Sequence, residues 1–576
     1  MNNQKYLLIG LIILSSLLFF HKLGSYPLFD VDEAVFSEAA REMIDTGDWI
    51  TPKYNYINRY DKPVLFYWLI ASSYLVFGIN EFAARFWSAL MGVFLIAATF
   101  LFAKRIDGKI YGLLSGFILA TSIEIIGLAH SAITDMTLTF FISASLYLFF
   151  LAMEGQNKRL YLISYALMAL AVLTKGPIGL VIPAMTIIPY LFLTKRFKET
   201  TKKAQLFSGA IIFLAIVLPW YMLEIRANGW EYINAFFFKH NIQRFSSVNS
   251  GHSGPIFYYI PVILIGFFPW SPFLPYALYK TAPRNLMVRQ AHHDTVRESL
   301  NGDINTRLAL FSIIWFLTVL IFFSFSRTKL PNYIASLFPP MALITAMLLK
   351  EFLTPLYPPL PRGELKGGDI SRGIRYSALF FSIICIMLAA ALILMPAILR
   401  KIHPALPDGF ADIPIKIGRW PIILAILFFA SGISSAAASL KDMRSLLIGV
   451  TGLTSSIFLL IALNLAMPDI ERLLQSPLKN FSVTIKEKNE PERRIAAYRI
   501  NNPSILFYSQ QKVLAMHKDN IEELKTMAKE EKPLYVITKL PYARELKEAT
   551  GMHYAGQESI YILLANNMAQ CKLDKK

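Results

Sequence analysis

Charge is in short supply in this chain. Only 17% of its 576 residues are Asp, Glu, Lys or Arg, against about 25% in an ordinary globular protein. Apolar residues take their place: 55% are hydrophobic and 14% aromatic, which excludes a disordered chain. Cysteine is nearly absent. The two present, Cys385 and Cys571, lie in an apolar run and in the C-terminal tail, so a disulfide scaffold is excluded and the redox compartment is left open. There is no solenoid-type repeat.

The scarce charges are unbalanced, with 57 Lys and Arg against 39 Asp and Glu, a formal +18. In a soluble protein that excess would point to nucleic acid. Here it fits the basic cytoplasmic loops of a membrane protein, and no nucleic-acid partner is expected. Apolar segments fall near 6–21, 84–103, 110–129, 133–153, 160–174, 177–194, 205–223, 256–279, 308–325, 331–350, 376–398, 420–440 and 445–466. They predict about thirteen transmembrane helices, an all-α polytopic membrane domain over 1–466. No small-residue cleavage site follows His21-Lys22, so the first segment reads as an uncleaved anchor.

With the N-terminus inside, nearly every basic cluster falls in an inside loop, as the positive-inside rule requires. The exception is 399–419, which carries Arg400, Lys401, Lys416 and Arg419 outside. An odd number of spans puts the polar tail, 467–576, outside, in the periplasm of a Gram-negative inner membrane. Strand-like runs at 494–500, 504–508, 534–538 and 559–564 alternate there with helix-like stretches at 519–530 and 541–549, which predicts a small α/β domain. Its simplest role is a stabilising or gating cap. Two inside loops, 281–306 and 354–373, look inserted; His292-His293 in the first reads as a solvated pair, not a metal site.

The first outside loop, 22–83, is too patterned for a connector. Phe36, Ala39, Ala40, Met43 and Ile44 recur at helical spacing, Glu38, Arg41, Glu42 and Asp45 point elsewhere, and Gly47 is placed to stop the helix. An amphipathic helix on the outer surface is expected, with Asp32-Glu33 at its start. Acidic residues there have an ordinary role in offsetting the helix dipole. Further on, Arg59-Tyr60-Asp61-Lys62-Pro63 precedes an interfacial stretch, 63–77, rich in aromatics. A cation in that setting can hold a lipid-linked phosphate at headgroup depth; its ordinary alternative is snorkelling.

Asp32-Glu33, Ala39-Ala40-Arg41-Glu42-Met43, Gly47-Asp48-Trp49, Tyr60-Asp61-Lys62-Pro63, Tyr67-Trp68 and Phe77-Gly78 together resemble the first periplasmic loop of the polyprenyl-phosphate-sugar glycosyltransferases. These are C-type fold enzymes that include the protein O-mannosyltransferases and the lipid A aminoarabinose transferase. Asp135, Leu173-Thr174-Lys175-Gly176, His240-Asn241-Ile242-Gln243-Arg244-Phe245 and Lys329-Leu330-Pro331-Asn332-Tyr333 are similar to the aminoarabinose branch. The resemblance covers the chain to about residue 350 and thins afterwards. Sidedness is a separate check. Asp32, Glu33, Asp61, Lys62, Lys175, His240, Arg244, Lys329 and Tyr333 all fall on the outside under a topology read from basic residues elsewhere, and charges near membrane depth usually mark a site.

The resemblance implies a sugar donor on undecaprenyl phosphate, an acceptor that is lipid A or a protein, and surrounding membrane lipids. Lys62, Arg244, Tyr333 and Lys329 would hold the donor phosphate; Asp32, with Glu33 beside it, would be the catalytic carboxylate. Arg59, Tyr60, Asp135, Lys175 and Gln243 would line the substrate cavity. No cofactor is required, although the aminoarabinose branch can hold a divalent, zinc-like metal near positions that here are Asp61 and His240. The family's carboxylate at the first of these is Glu, one methylene longer. A protein O-mannosyltransferase-like or other cell-envelope glycosyltransferase is the alternative within the fold. A lipid or sugar transporter is the alternative outside it, but transporters favour two related halves with mid-membrane sites.

Overall fold

The computed structural model of the protein describes residues 2–155, 157–243, 253–282, 303–353 and 366–569. Most of the inserted loops 281–306 and 354–373, His292 and His293 included, lies outside the described residues. Among those described, eight helices are long and apolar enough to cross a membrane, or nine if the bent pair Tyr259–Gly266 and Ser271–Thr281 is one span. This is a multi-pass membrane protein. Each of the thirteen apolar segments falls on helix, yet helices and segments do not correspond one to one. The segment at 84–103 and the first half of 110–129 share the 40-residue α4 (Glu81–Ala120), which breaks at Asp107 and Gly108, and the rest of the second segment is α5 (Ile123–Ala129).

The first half of the chain builds the frame. α1 (Asn2–Phe20) packs along α4, and α6 (Thr134–Gly155) is largely buried between α4 and α7 (Lys158–Lys175). Local chemistry sets the ends. Asn80 caps α4 by accepting the Ala83 N–H at 2.9 Å, as a short amide does for an orphan N–H. α7 stops at Gly176, whose φ of +81° suits a residue without a Cβ, and Lys175 is thereby left in the final turn. Asp135 and Glu154 sit near opposite ends of α6, roughly 28 Å apart at 1.5 Å rise per residue, close to the thickness of a bilayer's hydrocarbon core. At the Glu154 end, Arg196 and Arg307 converge on that one carboxylate at 2.7 and 2.5 Å. The cavity described below lies at the Asp135 end.

Between α1 and α4 the loop forms α2 (Asp32–Thr46), a short hairpin of β1 (Lys53–Tyr54) and β2 (Ile57–Asn58), and α3 (Leu65–Phe77). α2 ends at Gly47 in the left-handed region, where the sequence places its stop. The expectation of a surface helix with a solvated charged face is corrected: Glu38, Arg41 and Glu42 are buried. The hairpin tip covers them. Tyr56 donates its backbone N–H to Glu42 Oε2 at 2.8 Å and its hydroxyl to Asp45 at 2.7 Å, while Arg41 holds Glu38 through two 2.8 Å bonds.

The C-terminal residues form a five-stranded sheet in the order β4-β3-β5-β7-β6. β3 (Arg494–Tyr498) pairs in parallel with β4 (Val513–Met516) and β5 (Leu534–Lys539); β7 (Tyr561–Ala565) runs antiparallel to β5 and to β6 (His553–Glu558). The run at 504–508, expected as a strand, is instead the helix Ser504–Ser509. Its four apolar residues are all buried, so no alternation could reveal the period. Its first N–H donates to the carboxylate of Asp30 at 2.8 Å.

Candidate active site

A cavity of about 380 Å³ opens where the first loop meets the ends of α6 and α7. Asp32, Phe36, Arg59, Asp61 and Lys62 form one side; Ile133, Thr134, Asp135 and Lys175 form another, with Leu330, Asn332 and Tyr333 beside them and Lys239 entering from the helical segment that follows the helix Leu206–Ile233. Arg59, Asp61, Lys62, Asp135, Lys175 and Tyr333, far apart in sequence, are therefore neighbours here, together with Asp32.

The second wall is a tight polar network. Lys175 Nζ donates to Asp135 Oδ1 at 2.6 Å and stands 5.1 Å from the Tyr333 ring centroid. Asn332 donates to the other oxygen of Asp135 at 3.1 Å. Buried carboxylates need such partners. On the first wall Arg59 pairs with Asp61, and Lys62 Nζ donates to the Asp61 carbonyl at 3.1 Å. Four cations and three carboxylates line the cavity. Two ion pairs account for Arg59, Asp61, Lys175 and Asp135; Lys62, Lys239 and Asp32 make up the rest, a net positive lining suited to a phosphodiester.

Adjacent carboxylates in α2 do different things. Asp32 is exposed to the cavity. Glu33 turns the other way and is buried, holding Arg85 at 2.7 and 2.9 Å and accepting the backbone N–H groups of Phe29 and Ala132, each at 2.8 Å. Arg85 in turn donates to the carbonyls of Leu23, Tyr26 and Pro27. Glu33, expected as a second catalytic carboxylate, thus ties the loop to α4. Lys329 is also turned away, donating to the Ser326 carbonyl, and Tyr60 bonds Asn228 at 3.1 Å outside this cavity. Arg244 lies outside the described residues, as do the side chains of His240 and Gln243.

Burial raises the proton affinity of two carboxyls in the loop. Asp30 is raised above the ordinary carboxylate value by burial, although Asn502 and Ser504 bond it. Glu42 is pushed up to about 8 by burial and the neighbouring Glu38. The described residues do not fit a metal set: Asp61 faces the Arg59 cation, and among them no group of three or more His, Cys, Asp or Glu converges. Sequence reasoning missed Lys239 and Arg85. The signal for Arg85 was a cation just inside an apolar run; Lys239 precedes His240 and was legible only as part of that motif.

Residues 61–223 match the family model of dolichyl-phosphate-mannose-protein mannosyltransferases. An uncharacterized protein of Aquifex aeolicus (strain VF5) is 31% identical over 60% of this chain and 64% of its own length. An undecaprenyl phosphate-alpha-4-amino-4-deoxy-L-arabinose arabinosyl transferase of Enterobacter sp. (strain 638) is 31% identical over 60% of each. The chain thus spans less than two thirds of these relatives. The crystal structure of ArnT from Cupriavidus metallidurans bound to undecaprenyl phosphate superposes with a TM-score of 0.77, covering 97% of this chain and 98% of that one at 21% identity. The fold is that of the C-type glycosyltransferases. The sheet domain after residue 467 is part of the shared architecture, since the superposition covers nearly all of both chains.

Proposed function

We propose that the chain is an integral membrane glycosyltransferase that moves 4-amino-4-deoxy-L-arabinose from undecaprenyl phosphate to a lipid A phosphate. The observation that carries this reading is the cavity joining Asp32, Lys62, Asp135, Lys175 and Tyr333 at one end of the membrane helices. We read residues 1–466 as the transferase domain, crossing the inner membrane about thirteen times, and 467–576 as a periplasmic domain. The cavity then opens to the periplasm.

In the reaction the acceptor oxygen forms a bond to the anomeric carbon as the bond from that carbon to the donor phosphate oxygen breaks. Lys62 and Tyr333, with Lys239 beside them, hold the phosphate and stabilise the charge it gains; fixed cations do this well where water is scarce. Asp135 and Lys175 shape the sugar pocket. With a phosphate monoester acceptor the charge balances without a proton: one monoester becomes a diester while the donor diester becomes a monoester. Asp32 then orients the acceptor or stabilises positive charge on the sugar. With a hydroxyl acceptor Asp32 takes its proton as general base.

The test is lipid A mass spectrometry in a Gram-negative host that makes undecaprenyl-phosphate-aminoarabinose but lacks its own transferase. An aminoarabinose-sized mass increase, absent from a Lys62→Ala form, is expected. No increase despite verified membrane expression would overturn the lipid A assignment. The match of residues 61–223 to the mannosyltransferase model favours protein hydroxyls as the next acceptors to assay.

A further inference from the structure

A second cavity, of about 420 Å³, adjoins the first. Tyr54, Asn55, Ile57, Asn58 and Tyr60 of the hairpin line it on one side, Glu231 and Ala235 on the other. Arg59, Asp61 and Lys239 line both cavities, whereas Asp32, Lys62, Asp135, Lys175 and Tyr333 line the first and not the second. The Arg59–Asp61 pair with Lys239 is therefore the boundary between two chambers.

We propose that the second chamber holds the acceptor's saccharide, with its nucleophilic oxygen at the Arg59–Asp61–Lys239 boundary. The inference rests on the glycosyltransferase reading above. Transfer needs both substrates bound at once on either side of one carbon, so a donor cavity calls for an adjoining subsite. The chemistry of the walls fits a sugar. Two side-chain amides and two phenols line it, the two acids are matched by two cations, and the chamber lacks the net positive lining of its neighbour.

The walls are also braced, as a binding site requires. Asn58 donates to Asn228 Oδ1 at 2.9 Å and to the Tyr60 hydroxyl at 3.1 Å, and Asn228 is held by Thr51 at 2.7 Å. The Tyr60 ring meets Tyr232 edge-on, 5.7 Å between centroids. At the turn, Asn55 exchanges two hydrogen bonds with Val513 of β4, at 2.8 and 3.0 Å. The C-terminal sheet edge thus fixes the hairpin that forms the chamber.

The experiment places single cysteines in the full chain carrying Cys571→Ser, with the native Cys385 buried. Ala235→Cys reports the second chamber and Ile133→Cys the first, each through its rate of labelling by a soluble maleimide. The probes are undecaprenyl phosphate and a bis-phosphorylated glucosamine disaccharide without acyl chains. The disaccharide at about ten times its Kd is expected to slow labelling at 235 about tenfold, since the free fraction falls that far. Undecaprenyl phosphate is expected to slow labelling at 133 and leave 235 unchanged. Protection of 235 by undecaprenyl phosphate, or no protection there by the disaccharide, would overturn the proposal. Failure of undecaprenyl phosphate at 133, with the disaccharide still protecting 235, would instead count against the donor cavity.

Discussion

Asp30 and Ser504, 474 residues apart, are joined twice: the Ser504 backbone N–H donates to Asp30 Oδ1 at 2.8 Å and its hydroxyl to Oδ2 at 2.7 Å. Asn502 adds a third bond at 2.9 Å. Asp30 lies two residues before Asp32, so the C-terminal domain helps to hold the backbone that presents Asp32 to the cavity. Ser504→Ala is expected to lower kcat several-fold while leaving undecaprenyl phosphate affinity unchanged, and to cost about 0.5–1.5 kcal/mol of stability, the usual net worth of one hydrogen bond. Steady-state assays and thermal unfolding in detergent check both. An unchanged kcat would reduce the contact to a structural one.

On the proposed reading, Lys62 and Asp32 have two separable chemical roles. Lys62→Ala is expected to cut transfer by about a hundredfold or more, the scale seen when one fixed donor to a developing charge is removed. Asp32→Asn is expected to abolish transfer to a hydroxyl acceptor while leaving measurable transfer to a phosphate acceptor. Single-turnover assays with both acceptors decide it. Equal losses would remove the distinction between base and orienting group.

Glu33 and Arg85 form a fully buried pair in which each also carries backbone bonds. Removing one partner strands the other's charge, at a cost of about 3–5 kcal/mol. Arg85→Met is therefore expected to lower the yield of folded protein sharply, whereas Asp32→Asn leaves it near wild type. Size-exclusion profiles of the two variants give the comparison. A well-folded Arg85→Met protein would show that the pair is dispensable.

Glu42 makes the first loop sensitive to alkali. Its carboxyl holds a proton up to about 8 in the folded chain, whereas the unfolded chain releases it near the ordinary carboxylate value, about 4.3. The folded state thus binds more protons between those values, and stability falls as pH rises through them. Thermal unfolding midpoints should drop from pH 5 to pH 8.5, and Glu42→Gln, which cannot ionise, should flatten that drop. An identical slope in the variant would assign the dependence to other groups.

Much of the cavity was legible because a charge inside an apolar text stands out in one dimension. Lys62, Asp135 and Lys175 each interrupt or flank a span, and Tyr333 follows a basic turn. Partners were not legible. Glu33 and Asp32 are adjacent in sequence, and only Arg85 in three dimensions separates a structural role from an exposed one. The burial of Glu38, Arg41 and Glu42 depends on Tyr56 folding back over α2, which no periodicity within α2 encodes. β4 and β6 were missed in the tail because their burial patterns are mixed, while Ser504–Ser509, buried on every side, resembled a strand.

The bond between Asp30 and Ser504 also bears on biogenesis. Translation releases Asp30 near the start and Ser504 near the end, with every apolar helix after α1 made between them. The helices of the bundle are therefore complete while the cavity's rim still lacks this fastening. The tail's arrival closes it. A polypeptide that stops before Ser504 carries every residue that lines the cavity, yet lacks the bonds to Asp30 and leaves the Glu33 anchor alone to hold the start of α2.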